Sequence, residues 1–168
     1  QRTLGEGYEC SWISSSELQI LFGFGPSVLP GDKVLVQAEK LMSDFDGASL
    51  TNVAGATQLL DPVDPVLPET VLMAPKSIGV CDDLTLDGSQ TTGGAGRPFV
   101  NYKWKLVSAW PEHDTANITA YFSEMNVLND GVGINKLSGD NAIPTRVLKS
   151  GTEYEFRLTT TNFFGAKS

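Results

Sequence analysis

Residues 99–107 read Phe-Val-Asn-Tyr-Lys-Trp-Lys-Leu-Val, with large apolar groups at Val100, Tyr102, Trp104 and Leu106 and polar or small residues between them. Successive side chains of a β-strand point to opposite faces, so this period of two predicts a strand with one buried and one wet face. A one-sided apolar strand needs a second layer to cover it, and Trp104 is the expected centre of that core. The run Tyr154-Glu155-Phe156-Arg157-Leu158-Thr159-Thr160-Thr161 alternates in the same way and predicts another strand.

Composition agrees with an architecture of short strands. The 168 residues include 17 Gly and 9 Pro, with 40% hydrophobic and 19% charged residues, so turns are frequent while enough apolar material remains for a core. Thr70–Ala74 reads as an edge strand, Leu84-Thr85-Leu86-Asp87 as an inner one, Ser138–Asn141 as a loop, and Thr145-Arg146-Val147-Leu148 as a further strand. Only Asp114–Asp130 departs from this pattern. There Ile118, Tyr121, Phe122, Met125 and Leu128 recur at helical spacing behind Asp114 or Thr115 as a cap, which predicts a short helix near 115–129. The expected fold class is all-β, built from immunoglobulin-like sandwich modules.

The first third is less regular. Ser16–Phe24 predicts a strand followed by a Gly25-Pro26 turn, and Lys33–Glu39 predicts a second strand after Pro30-Gly31-Asp32. These two strands are expected to pair as a hairpin or across two sheets. Residues 43–58 are small and polar and read as an irregular loop, with Leu59-Leu60 closing the unit. Pro62, Pro65 and Pro68 then fix φ and remove amide donors, as in a stiff linker or a sheet edge. The expected organisation is the C-terminal part of a preceding β module over 1–61, a Pro-rich linker over 62–69, and a β-sandwich over 70–168 with an incomplete edge. Gln1 opens without Met or an apolar leader, and Asn162–Ser168 reads as a turn beyond a strand, so the chain reads as a segment of something longer.

Three stretches, taken in order, carry a family resemblance: Cys81-Asp82-Asp83-Leu84-Thr85-Leu86-Asp87-Gly88-Ser89, then Tyr102-Lys103-Trp104, then Gly151-Thr152-Glu153-Tyr154-Glu155-Phe156-Arg157-Leu158 leading to Asn162-Phe163-Phe164-Gly165. Over residues 66 to 168 they resemble the PKD-type repeats and receptor-for-egg-jelly (REJ) regions of polycystin-like surface proteins. The resemblance implies a secreted or cell-surface ectodomain, in some relatives on sperm or cilia. It implies adhesion, spacing or mechanosensing without catalysis, within a larger surface or filament-forming protein. The partners it implies are neighbouring modules of the same chain or other copies.

Beside the resemblance, Leu148, Gly151 and Tyr154 have the spacing of a tyrosine corner, in which the phenol bonds nearby backbone. Antibody domains carry a Cys two positions after that Tyr, where this chain has Phe156, so packing of Phe156 against Trp104 is expected to replace an inter-sheet disulfide. Cys10 and Cys81 are the only cysteines and neither belongs to a C-x-x-C pair. A Cys10–Cys81 disulfide and two buried free thiols are the two readings, and the extracellular signs favour the disulfide.

Other functional candidates are few. Asn117-Ile118-Thr119 is a glycosylation sequon. Trp110, beside Pro111, is the candidate ligand contact for a glycan- or partner-binding ectodomain, the alternative function; Trp12 is the other tryptophan of such a platform. No cofactor is expected. Calcium has candidates in Asp61, Asp64 and Glu69 of the linker, and in Asp44 with Asp46, although Asp44-Phe45-Asp46-Gly47 lacks the other EF-hand ligands. A hydrolase would have to use His113, the sole histidine, which reads as an exposed loop residue, and no Gly-x-Ser-x-Gly elbow is present. Gly93-Gly94-Ala95-Gly96 lacks the Gly-Lys-[Ser/Thr] ending of a phosphate loop. A formal net charge of −8 opposes binding to nucleic acid and anionic lipid, and no apolar run approaches the roughly 18 residues of a membrane span.

Overall fold

The computed structural model describes residues 3–36 and 55–168, and the chain divides into two compact units, Gln1–Pro65 and Val66–Ser168. It is β-rich, with small antiparallel sheets and little helix. No helix among the described residues is long and apolar enough to cross a membrane.

In the first unit, β1 (Glu9–Ser14) and β2 (Glu17–Leu21) form an antiparallel hairpin, and β3 (Lys33–Val36) pairs antiparallel with β4 (Gly55–Gln58). β2 and β3 do not form the expected hairpin; they lie in two separate sheets, the other arrangement expected of them. Gly55–Gln58, expected to be loop, is a strand because its backbone meets Lys33–Val36, a pairing partner that its small polar side chains do not advertise. Residues 43–54 of the expected loop, with Asp44 and Asp46, lie outside the described residues, as do residues 37–39 of the expected strand. The turn into β3 is fixed by Asp32, whose carboxylate accepts the Leu29 amide proton at 2.7 Å. None of the described residues in this unit is buried. Tyr8, Trp12, Leu18 and Phe22 are exposed.

The second unit holds β5 (Leu86–Asp87), β6 (Asn101–Trp110), α1 (Ala116–Met125), β7 (Lys136–Leu137) and β8 (Glu153–Thr161). β5 pairs with β7 and β6 pairs with β8, both antiparallel. Thr70–Ala74 is not a continuous strand. The segment is held at Glu69 opposite Thr92 and Met73 opposite Asp87, while Leu84 bridges Ile143. Pro68 and Glu69 of the expected linker thus belong to this unit, with Pro68 buried.

One core receives side chains from all of these elements. Leu86 faces Leu137 across the β5–β7 pair, both fully buried, and Trp104 faces Leu158 across the β6–β8 pair. The helix adds Ile118, Phe122 and Met125, spaced four and three apart so that one face turns inward. Each such side chain contributes roughly 1.5–3 kcal/mol by leaving water. Helix α1 begins where the Asp114 carboxylate takes the Ala116 amide proton at 2.9 Å; Thr115 makes no side-chain cap bond. Leu128 packs on the core from beyond the helix, where Asn129, Asp130 and Gly131 all have positive φ.

Val100 lies just before β6 and is exposed, so the alternating apolar face starts at Tyr102. Thr145–Leu148 is not a strand, because the Thr145 amide and hydroxyl both bond the Asp83 carboxylate, at 2.8 and 3.0 Å. With its amide so engaged, the segment winds into a 3₁₀ turn, Thr145–Val147.

Candidate interaction site

Three sequence-derived candidates, Trp110, His113 and Tyr154, lie at one end of the β6–β8 pair. Tyr154 is the hub. Its hydroxyl accepts the Lys149 amide proton at 2.6 Å, five residues upstream, the contact that defines a tyrosine corner. The same hydroxyl lies 3.2 Å from His113 Nε2, and His113 Nδ1 lies 3.0 Å from the Pro111 carbonyl. A carbonyl only accepts, so Nδ1 carries the proton and Nε2 is left to accept from the phenol. His113 is therefore half-buried and packed edge-on against Tyr154 rather than an exposed loop residue.

Phe156 belongs to the core cluster, but its ring neighbours are Tyr154, stacked at 6.0 Å, and Phe122, edge-on at 5.8 Å. Across the strands it faces Leu106, while Trp104 faces Leu158. Trp104 is 1% exposed and its indole N–H donates to the Ile134 carbonyl at 2.7 Å.

A bulge decides where Trp110 points. Leu106 opposes Phe156 and Ser108 opposes Glu155, which leaves Val107 unpaired. One extra residue reverses the side-chain parity, so Ala109 turns inward and Trp110 outward, 73% exposed. Without the bulge, Trp110 would share the face of Trp104.

The backbone of β6 is closed on its other side. The Trp104 amide donates to Asn126 Oδ1 at 2.7 Å, and Asn126 Nδ2 donates to the Trp104 carbonyl at 2.9 Å, while the Tyr102 amide reaches the Val132 carbonyl at 2.7 Å. Gly133 permits this approach, because a Cβ there would sit 2.3 Å from the Tyr102 carbonyl oxygen at φ +79°. At the far end of β8, buried Asn162 donates to the carbonyls of Val66 and Gly93 at 2.8 and 3.2 Å. It accepts the amides of Phe164 and Ala166 at 3.1 Å. The sequence marked this residue as part of a motif without revealing that all its bonding capacity is used.

Beside the tyrosine corner lies a groove of about 750 Å³ between residues 74–80 and the segment from Thr145 to Phe156. Ile78, Val80, Leu84, Leu148 and Phe156 give it apolar walls, and Lys76, Lys149 and Glu153 supply charge.

Two carboxylates nearby are structural. Thr145, by its backbone amide first and then its hydroxyl, holds Asp83 below the usual carboxylate range. Lys136, bonded to Asp87 at 2.6 Å, and then Ser89 hold Asp87 down to about 2. Asn117 is exposed on α1, one position before buried Ile118, so its amide is open to solvent. Cys10, in β1, and Cys81 are both exposed and unbridged, which departs from the reading as buried thiols. Asp61 and Asp64 lie in the first unit and Glu69 in the second. No group of three or more His, Cys, Asp or Glu among the described residues is placed to hold a metal ion.

The chain matches no protein-family model, no curated protein and no solved structure.

Proposed function

We propose that residues 66–168 form an immunoglobulin-like sandwich of the PKD/REJ type. The chain would then act as an extracellular structural or adhesive module of a larger surface or filament-forming protein. Its work is done through contacts with neighbouring modules or other copies, without catalysis. The observation that carries this reading is the bond from the Lys149 amide to the Tyr154 hydroxyl, the tyrosine corner of such sandwiches. The meeting of the β5–β7 and β6–β8 pairs in one core adds support. So does the engagement of both ring nitrogens of His113, the sole histidine, with Pro111 and Tyr154. Adhesion supplies the test. Beads coated with the chain should aggregate with one another or with cells bearing it; beads that stay dispersed in both arms contradict the adhesive role.

The exposure of Trp110 favours a second reading, a glycan- or partner-binding ectodomain, because a flat aromatic face open to water stacks on sugar rings. Binding on a glycan array that is lost in Trp110→Ala would decide for it over the first.

A further inference from the structure

We propose that the groove between α1 and the 3₁₀ turn Thr145–Val147 seats the first N-acetylglucosamine of a glycan carried by Asn117, so that the sugar braces the helix against the turn. This rests on the extracellular-module reading, which exposes Asn117-Ile118-Thr119 to the secretory machinery, and it gives the modification a structural task. The donor is an oligosaccharide linked to lipid through pyrophosphate. Asn117 Nδ2 gives up a proton and bonds C1 of the sugar, and the lipid pyrophosphate leaves.

One stripe of the helix builds this groove. Asn117, Ala120, Tyr121 and Glu124 recur three and four positions apart, which stacks them on one face, beside the face that buries Ile118, Phe122 and Met125. Arg146 and Val147 form the facing wall. Both walls are fixed before any sugar arrives. The helix is held by its buried face, and the turn by the two bonds from Thr145 to the Asp83 carboxylate. The Tyr121 hydroxyl ties the helix to the chain just ahead of the turn, donating toward the Asn141 and Ala142 carbonyls at 2.7 and 3.1 Å. A seat formed in advance costs little ordering when it is filled.

The lining matches an acetylated sugar. Ala120 and Val147 offer apolar surface to the acetyl methyl group and to the C–H face of the ring. Glu124 supplies an acceptor and Arg146 donors for the hydroxyl groups and the acetyl carbonyl. Neither of these two side chains makes a hydrogen bond or ion pair with another of the described residues. The groove's volume of about 360 Å³ is at the small end for ligand clefts, with room for the sugar nearest the protein and not for a whole glycan. Asn117 is itself part of the lining, so the sugar is tethered where it binds. A short tether holds an effective concentration in about the mM range, and contacts too weak to retain a free sugar or peptide then suffice.

The test uses the full chain secreted from eukaryotic cells, its glycan trimmed to the first N-acetylglucosamine, beside Thr119→Ala, which keeps Asn117 and abolishes the sequon. The trimmed protein should melt about 4 °C above Thr119→Ala, although alanine is the better helix former at this exposed position. Through-space NMR contacts should join the acetyl methyl of the sugar to the methyl groups of Ala120 or Val147. In Glu124→Ala/Arg146→Ala the difference between sugar-bearing and sugar-free chains should shrink by about half or more. Both side chains are exposed, so that variant keeps its fold. Sugar on Asn117 with equal melting points, with no NMR contact, or with a difference undiminished in the double variant would overturn the proposal and leave the module reading intact. Bare Asn117 would overturn it as well, and the state of Cys10 and Cys81 then decides whether the module reading falls with it.

Discussion

Asn126 brackets the backbone of Trp104, its Oδ1 accepting the amide proton at 2.7 Å and its Nδ2 donating to the carbonyl at 2.9 Å. A single side chain thereby does what a neighbouring strand would do, and it pins the loop after α1 to the strand that carries the core tryptophan. Removing it leaves both backbone groups of a buried residue without partners. Asn126→Ala should lower stability by about 2–3 kcal/mol, read by urea unfolding monitored through tryptophan fluorescence. Asn126→Asp keeps the acceptor but sets a carboxylate oxygen against the Trp104 carbonyl, so at neutral pH it should cost at least as much as the alanine.

The tyrosine corner predicts a smaller effect with a spectroscopic companion. Tyr154→Phe retains the stacking on Phe156 and deletes only the hydroxyl, so it should cost about 1 kcal/mol. In the parent protein the ¹⁵N shifts of His113 should report the Nδ1–H tautomer, and in Tyr154→Phe the two tautomers should become more evenly populated.

Acid stability follows from Asp83 and Asp87. Both are held below the ordinary value of 3.8, so their contribution is fully present above that value and declines as pH falls, for Asp87 through about 2. Thermal unfolding between pH 5 and 2 should show this loss, and Lys136→Met should flatten the part due to Asp87. An unchanged slope in that variant would mean that the ion pair contributes nothing.

Asn162 offers the sharpest structural test at the end of β8. It is fully buried with its side chain bonding Val66, Gly93, Phe164 and Ala166. Asn162→Leu should destabilise by about 3 kcal/mol, through the two carbonyls and two amides left unpaired, despite its comparable size.

How legible this was depended on the length and period of each element. β6, β8 and α1 each run nine residues or more, enough for a period of two or 3.6 to stand out, and Trp104 at the core follows from that period alone. β7 is two residues long and carries no period at all. Thr145–Leu148 has β-favouring residues yet forms a 3₁₀ turn, because Asp83, 62 positions earlier, captures the Thr145 amide. The contact between His113 and Tyr154 joins residues 41 apart and leaves no local signature. Trp110 could be placed on the outer face only through the bulge at Val107, which side-chain alternation does not announce. The groove was invisible for the same reason: it is bounded by segments about 70 residues apart in sequence that share only apolar and glycine-rich character.

Whether the chain is an extracellular module is tested most directly by intact mass with non-reducing peptide mapping on native material. The prediction is sugar on exposed Asn117 and a disulfide linking Cys10 to Cys81, two thiols that lie exposed for oxidation. An unmodified Asn117 together with two reduced cysteines would contradict it.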